Sequence, residues 1–229
     1  MSIYKSQDDM KSRREQMVGR DIAGRGVTDR RVLEAMRFVP RERFMPARDE
    51  RRAYDDSPVP IGHGQTISQP YIVALMTELC ELEAESSVLE IGTGCGYQTA
   101  ILSVIADRVV TIERIAELSH RARRVLESIG VSNTTFVVGD GYKGYPVGAP
   151  YDAIVLTAAP PSVPDDLLSQ LAPDGVLVAP VGANEQRLVT VRRSYGRFET
   201  RFVCNVSFVP MVPGQDEPDS DAADHDATI

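Results

Sequence analysis

The sequence predicts an α/β protein with a mostly parallel, doubly wound sheet and a C-terminal antiparallel hairpin. Short apolar runs alternate with helical stretches between residues 87 and 179, a pattern typical of parallel strands covered on both faces. A glycine-rich turn at 92–96 follows the first of these strands and leads into a helix. Near the end of the chain, two strand-like runs surround a Tyr195-Gly196 turn, and this arrangement predicts the hairpin.

The predicted elements follow one another in chain order from residue 87. Parallel strands are expected at 87–91, 109–113, 135–138, 153–156 and 176–179. The strands of the hairpin are expected at 187–193 and 198–209. Helices are expected at 97–106, 115–129 and 165–171. A Pro-Asp-Gly turn at 173–175 is expected to lead into the strand at 176–179.

The first 86 residues precede this alternation. Residues 11–45 are rich in charge and helical in pattern, and a capped amphipathic helix is predicted at 27–36, ending before Val39-Pro40. Residues 54–69 are predicted to form a loop, because prolines and glycines interrupt them. A helix is expected from about residue 70 to 82, since its apolar residues fall at helical spacing and Pro70 suits a first turn.

The chain is predicted to form one domain at 11–212, between a flexible leader at 1–10 and a disordered acidic tail at 213–229. Within the domain, residues 11–86 form the helical and loop region and 87–212 form the sheet region. The tail has no Lys or Arg and holds six acids, which leaves −2 of the net charge of −8 for the rest of the chain. A near-neutral body lacks the broad basic field that nucleic-acid binding needs. The tail acids are Asp216, Glu217, Asp219, Asp221, Asp224 and Asp226.

Several kinds of site and location are not expected from the sequence. The longest apolar runs are short and residues 1–5 lack an apolar signal region, so neither a membrane span nor secretion is predicted. The three cysteines and three histidines are widely scattered, which argues against a disulfide framework or a metal site. We expect a cytoplasmic monomer without nucleic-acid or membrane partners.

The glycine turn is the first candidate for a binding site. Glycines let the backbone bend tightly and let a ligand approach closely. The spacing Gly92-x-Gly94-x-Gly96 places the third glycine one residue earlier than the dinucleotide fingerprint does. This favours a ligand without a pyrophosphate, and S-adenosylmethionine, which carries an amino acid and a sulfonium, fits. We expect these glycines and Glu90, in the strand before them, to bind it.

Two acidic residues follow the next two strands. Glu113, with Arg114 beside it, ends the strand at 109–113, where a carboxylate can accept hydrogen bonds from both ribose hydroxyls; its alternative role is to cap the next helix. Asp140, followed by Gly141, stands after the strand at 135–138, where methyltransferases commonly place an acid against the adenine amino group; its alternative role is a turn. Three signals at successive strand ends predict an S-adenosylmethionine site, with S-adenosylhomocysteine as the product.

A family resemblance narrows the function. The segment P-I-G-H-G-Q-T-I-S-Q-P at 60–70 resembles the signature loop P-I-G-x-G-Q-T-I-S-x-P of the protein-L-isoaspartate O-methyltransferases. The resemblance covers roughly residues 11–212 in the family's order and spacing. It implies the S-adenosylmethionine-dependent methyltransferase fold, and transfer of a methyl group to the side-chain carboxylate of L-isoaspartyl residues in damaged proteins and peptides, which initiates repair.

The resemblance also assigns residues. Ser68 maps to the active-site serine, although a serine just before Pro70 also suits a helix N-cap. His63 falls at the variable position of the signature and is interpreted as a bystander. The positions that line the cofactor and the substrate map to Gln65, Thr66 and Ile67, and those that offer backbone groups to the bound peptide map to Val209 and Pro210.

Three other functions remain open. One is N-methylation of nucleic acids or proteins, by enzymes that often carry Asp or Asn before Pro-Pro and an aromatic residue after it. Residues 158–162 read A-A-P-P-S and contain neither, which disfavours this function. A methyltransferase for a small carboxylic acid is compatible with the glycine turn. A non-catalytic adaptor with a relict cofactor site is disfavoured by the intact set Ser68, Glu90, Glu113 and Asp140.

Overall fold

The computed structural model describes residues 2–214. Strands in this part of the chain are β1 (Val59–Gly62), β2 (Gln65–Ile67), β3 (Ser87–Ile91), β4 (Arg108–Glu113), β5 (Thr134–Val138), β6 (Tyr151–Leu156), β7 (Leu171–Val181), β8 (Gln186–Ser194) and β9 (Arg197–Val206). The α-helices are α1 (Ser2–Gln16), α2 (Arg30–Phe38), α3 (Pro70–Leu79), α4 (Tyr97–Ile105), α5 (Ala116–Ser128) and α6 (Asp165–Ser169). A π-helical segment, Met17–Ile22, continues α1, and 3₁₀ turns lie at Ala23–Arg25, Arg41–Phe44, Ala47–Arg52, Gly141–Lys143 and Pro146–Gly148.

Seven of these strands form one sheet in the order β5-β4-β3-β6-β7-β8-β9. The five strands from β5 to β7 are parallel to their neighbours, and β8 and β9 add an antiparallel hairpin at one edge. The predicted fold class is therefore confirmed. The strand order reverses beside β3, and ligands of such sheets bind at the carboxyl ends of the strands at this switch point.

Both faces of the sheet are covered. β3 is buried along its whole length, as a central parallel strand requires. One face packs Leu89 and Ile91 against α6 and the segment near Met211. The opposite face packs Val88 against α3 and α4, on the side that carries α5 and the N-terminal helices. The carboxyl ends of β3, β4 and β6 stay uncovered by helix and form the edge on which a site can be built.

The segment predicted as a loop at 54–69 contains an additional hairpin. β1 and β2 pair antiparallel around His63-Gly64, and residues 62, 63 and 64 all have positive φ, at 97°, 52° and 68°. Such angles are those of the tight turns that suit a twisted hairpin. Strands of four and three residues are too short to show an alternating pattern, so the loop prediction was wrong in this detail.

Two predicted boundaries also change. The Pro-Asp-Gly turn at 173–175 lies inside β7, as a bulge between the pairs Tyr151↔Leu171 and Ala153↔Val176. The last strand ends at Val206, so residues 207–209 leave the sheet earlier than expected. They turn towards the end of β6, where Ala159 N donates to Val209 O at 2.9 Å and Met211 N donates to Ala159 O at 2.8 Å.

The two ends of the chain bear on the predicted domain limits. α1 begins at Ser2, inside the segment predicted to be a flexible leader. The predicted acidic tail lies outside the described residues from position 215 onward. Within residues 2–214, no helix has the length and apolar character needed to cross a bilayer.

Candidate active site

A cleft with about 890 Å³ of empty space opens at the carboxyl ends of β3, β4 and β6. Its walls come from the glycine turn, the residues after β4 and β6, the β2–α3 loop and the segment after β9. Of the predicted cofactor residues, those that line it are Gln65, Thr66, Ile67, Gly92, Gly94, Glu113, Arg114 and Gly141. The predicted substrate residues Thr66, Ser68, Val209 and Pro210 line it as well.

The three glycines of the turn have different roles. Gly92 has φ 98°, and a Cβ there would collide with the Thr157 hydroxyl. Gly94 has φ 54° and faces the cleft, where the nearest atom to a Cβ is Ile61 Cδ1 at 3.6 Å. Gly96 does not line the cleft. Its φ is 88°, and a Cβ at this position would lie 2.7 Å from Leu126 Cδ1, so the absence of a side chain leaves room for Leu126. Gly96 thus has a packing role between α4 and α5, and the cofactor role predicted for it stays a prediction.

Glu113 is fixed at the rim of the cleft. Its side chain is buried, with 6% exposed, and its Oε2 accepts from Gly94 N at 2.8 Å while Oε1 accepts from Ile115 N at 3.0 Å. A carboxylate oxygen has two acceptor sites, so each oxygen keeps one for a ligand. The carboxylate therefore holds the glycine turn in shape and remains able to receive the two ribose hydroxyls. Glycines that open the cleft and an oriented carboxylate at its rim fit S-adenosylmethionine.

Glu90 lies beneath the turn and does not reach the cleft. Its carboxyl group is fully buried, and Oε2 accepts hydrogen bonds from the hydroxyls of Thr99 and Thr111. Oε1 has no hydrogen-bond partner among the described residues. Burial raises the pKa of Glu90 to about 8. Glu90 thus supports the strand that carries the turn, and the cofactor role predicted for it stays a prediction.

Asp140 also stands back from the cleft. Its Oδ1 accepts from Tyr142 N at 3.0 Å and caps the short turn Gly141–Lys143. This hydrogen bond agrees with the alternative prediction, in which Asp140 forms a turn. The neighbouring residue, Gly141, lines the cleft. Contact between Asp140 and the adenine amino group stays a prediction.

A second cavity, with about 990 Å³ of empty space, adjoins the cleft. Its lining contains no charged side chain and comprises Pro58, Thr66, Ser68, Gln69, Ile72, Thr157, Asn205, Val206, Ser207, Phe208 and Val209. We call it the groove. Four of its residues also line the cleft, and we call them the shared wall: Thr66, Ser68, Thr157 and Val209. A group passed from one cavity to the other must cross at this wall.

Ser68 does not act as a helix cap. The N-cap of α3 is Gln69, whose side chain makes no capping hydrogen bond. Among residues 2–214, the Ser68 hydroxyl has no hydrogen-bond partner, whereas its carbonyl accepts from Arg41 Nη2 at 2.8 Å. The N-cap interpretation of Ser68 is therefore wrong, and its hydroxyl is available at the shared wall.

The hairpin that carries the signature loop is attached to α5. His63 Nε2 lies 2.9 Å from Glu117 Oε2, and Arg121 Nη2 donates to Ile61 O at 2.7 Å. Gln65 donates to His63 O at 3.2 Å. His63, interpreted from the sequence as a bystander, thus helps to hold the loop over the glycine turn.

Sequence reasoning missed Thr157 and Met211. Thr157 follows β6, and its hydroxyl donates to Ile91 O at 3.1 Å and to Gly92 O, which joins the ends of two neighbouring strands. Its signal was available, because a polar residue directly after a buried parallel strand lies at the ligand edge. Met211 packs beneath Gly141 and lines the cleft from a segment without regular structure, and no sequence pattern could have placed it there.

Comparison with known proteins decides the family. The family model described as Protein-L-isoaspartate(D-aspartate) O-methyltransferase matches residues 12–216. The chain belongs to this family. A protein-L-isoaspartate O-methyltransferase of Methanoculleus marisnigri is 52% identical over 206 residues, which cover 90% of this chain and 94% of the relative. One of Klebsiella pneumoniae is 48% identical over 206 residues, covering 90% and 99%.

Solved structures agree with this membership. The methyltransferase superimposes on a protein-L-isoaspartate O-methyltransferase with a TM-score of 0.78 and 29% identity, covering 86% of this chain and 65% of that one. A Plasmodium falciparum structure in complex with S-adenosyl-L-homocysteine shares the fold, with a TM-score of 0.76 at 23% identity and coverage of 86% and 97%. The resemblance, the enzyme class and the S-adenosylmethionine cofactor predicted from the sequence are confirmed by the family match.

Proposed function

We propose that this chain transfers a methyl group from S-adenosylmethionine to the side-chain carboxylate of L-isoaspartyl residues in damaged proteins and peptides, initiating their repair, and that Ser68 aims this carboxylate. The observation that carries the proposal is the Ser68 hydroxyl, which has no partner among residues 2–214 and stands in the wall that the cleft shares with the groove. Such a hydroxyl is satisfied only by a ligand or by water.

The cleft supplies the binding site for the cofactor. Glu113 would hold the ribose, and the backbone at Gly92 and Gly94 would let the amino-acid end approach. The bound cofactor supplies an electrophilic methyl group on a sulfonium. The protein then has to bring one nucleophile to that group and keep water away from both.

The substrate carboxylate needs no general base. Its reference pKa near ~3.9 leaves it ionised at neutral pH, so it is already the nucleophile. The lining of the groove contains no titratable side chain that could act as a base. The Ser68 hydroxyl donates to one carboxylate oxygen and so orients the other, while a single neutral donor leaves that oxygen nucleophilic.

Recognition of the peptide is assigned to the backbone of Val209, in the shared wall, and of Pro210, which lines the cleft. The carbonyl of Val209 is used by Ala159 N, but the N–H of Val209 bonds to none of the described residues. Pro210 has no N–H and offers only a carbonyl. Backbone contacts recognise the altered chain path of isoaspartate without contacting its side chains, and an uncharged groove accepts many neighbouring sequences.

We further propose that the protein is a cytoplasmic monomer without nucleic-acid or membrane partners, in line with the near-neutral charge of residues 1–212.

Labelled methyl transfer tests this function. The purified chain is given an isoaspartyl peptide and its aspartyl twin, with label in the methyl group of the cofactor. We expect base-labile label on the isoaspartyl peptide and little on its twin. Base-stable label would indicate an N-methyltransferase, and equal labelling of both peptides or of small carboxylic acids would indicate a less specific carboxyl methyltransferase. Peptide binding without any transfer would indicate an adaptor.

A further inference from the structure

Arg41 is a buried cation without a carboxylate partner. Its side chain is 0% exposed, and no Asp or Glu of the described residues forms an ion pair with it, while Asp56 interacts with it electrostatically at longer range. Nε donates to Ala53 O at 2.8 Å, Nη2 donates to Ser68 O at 2.8 Å, and the guanidinium lies 4.8 Å from the centre of the Tyr97 ring. Nη1 has no hydrogen-bond partner among these residues. Burial lowers the pKa of Arg41.

This arrangement is costly if its only purpose is packing. A charge without a counter-ion loses its hydration on burial, and an apolar side chain of similar volume fills a core at a lower cost in stability. What a guanidinium provides instead is a rigid, planar set of donors. Here that set joins the turn Arg41–Phe44, the end of the turn Ala47–Arg52 and the loop that carries Ser68.

The residues after Ser68 are held as well. Gln69 Nε2 donates to Asp56 Oδ2 at 2.6 Å, and Tyr71 N donates to Oδ1 at 3.4 Å. Arg25 Nη1 pairs with the same carboxylate at 2.7 Å. The main chain is thus held at Ser68 by Arg41 and at Tyr71 by Asp56, which also holds the Gln69 side chain. The Ser68 hydroxyl is left without a partner among the described residues.

We infer that Arg41 is a positioning residue, which fixes the main chain at Ser68 so that the hydroxyl points at the substrate carboxylate. The inference rests on the role proposed for Ser68. Alignment of a nucleophile with the group it attacks is sensitive to small displacements, and a shift of about 1 Å can cost about a hundredfold in rate. Arg41 itself lines neither cavity, but it contacts two residues that do: Ser68 by a hydrogen bond and Tyr97 by its ring. Cofactor affinity is therefore measured beside kcat, to separate an effect through Ser68 from one on the cofactor site.

A double-mutant cycle on the full chain tests the inference. The variants are Arg41→Met, Arg41→Lys, Ser68→Ala and the two double variants. The measurements are kcat and KM on an isoaspartyl peptide, the dissociation constant of S-adenosylhomocysteine and the melting temperature. Arg41→Met is expected to lower kcat at least tenfold with cofactor affinity within twofold of the parent. Arg41→Lys keeps one donor, and its kcat is expected to lie between those of the parent and of Arg41→Met. In the Ser68→Ala background, neither substitution is expected to lower kcat further.

Controls separate positioning from loss of stability. Arg43→Met removes an exposed arginine of the same turn, whose side chain forms one hydrogen bond among the described residues, to Ser128 Oγ, and it is expected to keep the parental kcat. Leu102→Ala removes a buried core side chain that lines neither cavity and gives a destabilised reference with normal kcat. If Arg41→Met does not fold, the Arg41→Lys cycle decides.

The outcomes are distinct. A full kcat in a folded Arg41 variant, or losses that multiply with the loss in Ser68→Ala, would overturn the inference and leave the role of Ser68 intact. A full kcat in Ser68→Ala itself would overturn both. If substitution of Arg41 lowers kcat in the parent but not in the Ser68→Ala background, the result would support both the inference for Arg41 and the role of Ser68.

Discussion

The glycine turn and the shared wall are built in opposite ways. In the turn, Gly94 N is paired with Glu113, and Glu113 is paired again with Ile115 N, so the polar groups have partners before any ligand arrives. In the shared wall, the hydroxyl of Ser68 and the N–H of Val209 have no partner among residues 2–214. Contacts with the ends of the strands fix the turn, whereas we propose that a ligand supplies the missing hydrogen-bond partners of the wall. Changes in the turn should therefore affect folding or cofactor affinity, and changes in the wall should affect turnover.

The largest effect is expected from Gly96→Ala. Its Cβ would stand 2.7 Å from Leu126 Cδ1 at a φ of 88°, and strain with overpacking should lower the free energy of unfolding by about 2–4 kcal/mol. Affinity for S-adenosylhomocysteine should stay within threefold at low temperature, because Gly96 does not line the cleft. Denaturant unfolding and calorimetric titration measure the two quantities. Gly94→Ala is the matched variant and should show the reverse, with weaker cofactor binding and a smaller loss of stability.

Glu113→Ala should weaken cofactor binding at least tenfold. Hydrogen bonds to a charged group contribute about 1.5–3 kcal/mol, and the variant loses those to the ribose as well as the one that fixes the turn. Calorimetric titration with S-adenosylhomocysteine measures the change. Glu127→Ala, an exposed acid near the end of the neighbouring helix α5, is the control and should bind normally. Unchanged affinity in Glu113→Ala would remove the ribose assignment.

Glu90 should make stability depend on pH. Its folded pKa of about 8 lies above the ordinary value of 4.5, so between these values the native state binds the proton more strongly than the unfolded state. Stability from this group is complete below pH 4.5 and is lost as the pH rises through 8, by at most about 1.4 kcal/mol per pH unit. Glu90→Gln should show a flatter profile of unfolding free energy over this range. Parallel profiles would mean that Glu90 titrates normally.

The fold was largely predictable from the sequence because its core elements repeat a simple pattern. Fully buried strands such as Ser87–Ile91 read as short apolar runs, and glycines mark the turn after them. The β1–β2 hairpin escaped because its strands are very short and its turn relies on backbone angles that His63 rarely adopts. The bulge in β7 escaped because Pro-Asp-Gly is also an ordinary turn sequence.

The site was predictable where a residue's chemistry points to a ligand and unpredictable where long-range contacts decide its role. Glu113 and Ser68 could be selected from their positions beside strands and in the signature loop. Glu90 and Gly96 belong to the same motif, yet their roles depend on Thr111 and Leu126, which lie far along the chain. Arg41 gave no signal, since only the folded structure brings it beneath Ser68.

The turnover of Ser68→Ala tests the central claim most directly. Loss of a hydroxyl that orients a carboxylate should lower kcat on an isoaspartyl peptide by about tenfold or more. The melting temperature and the affinity for S-adenosylhomocysteine should stay at the parental values, because this hydroxyl has no partner among residues 2–214 and the Glu113 carboxylate, proposed to bind the ribose, lies on β4. All three quantities are measured on one preparation. A parental kcat, or a lower kcat that merely follows a lower melting temperature, would contradict the claim that the shared wall is completed by the substrate.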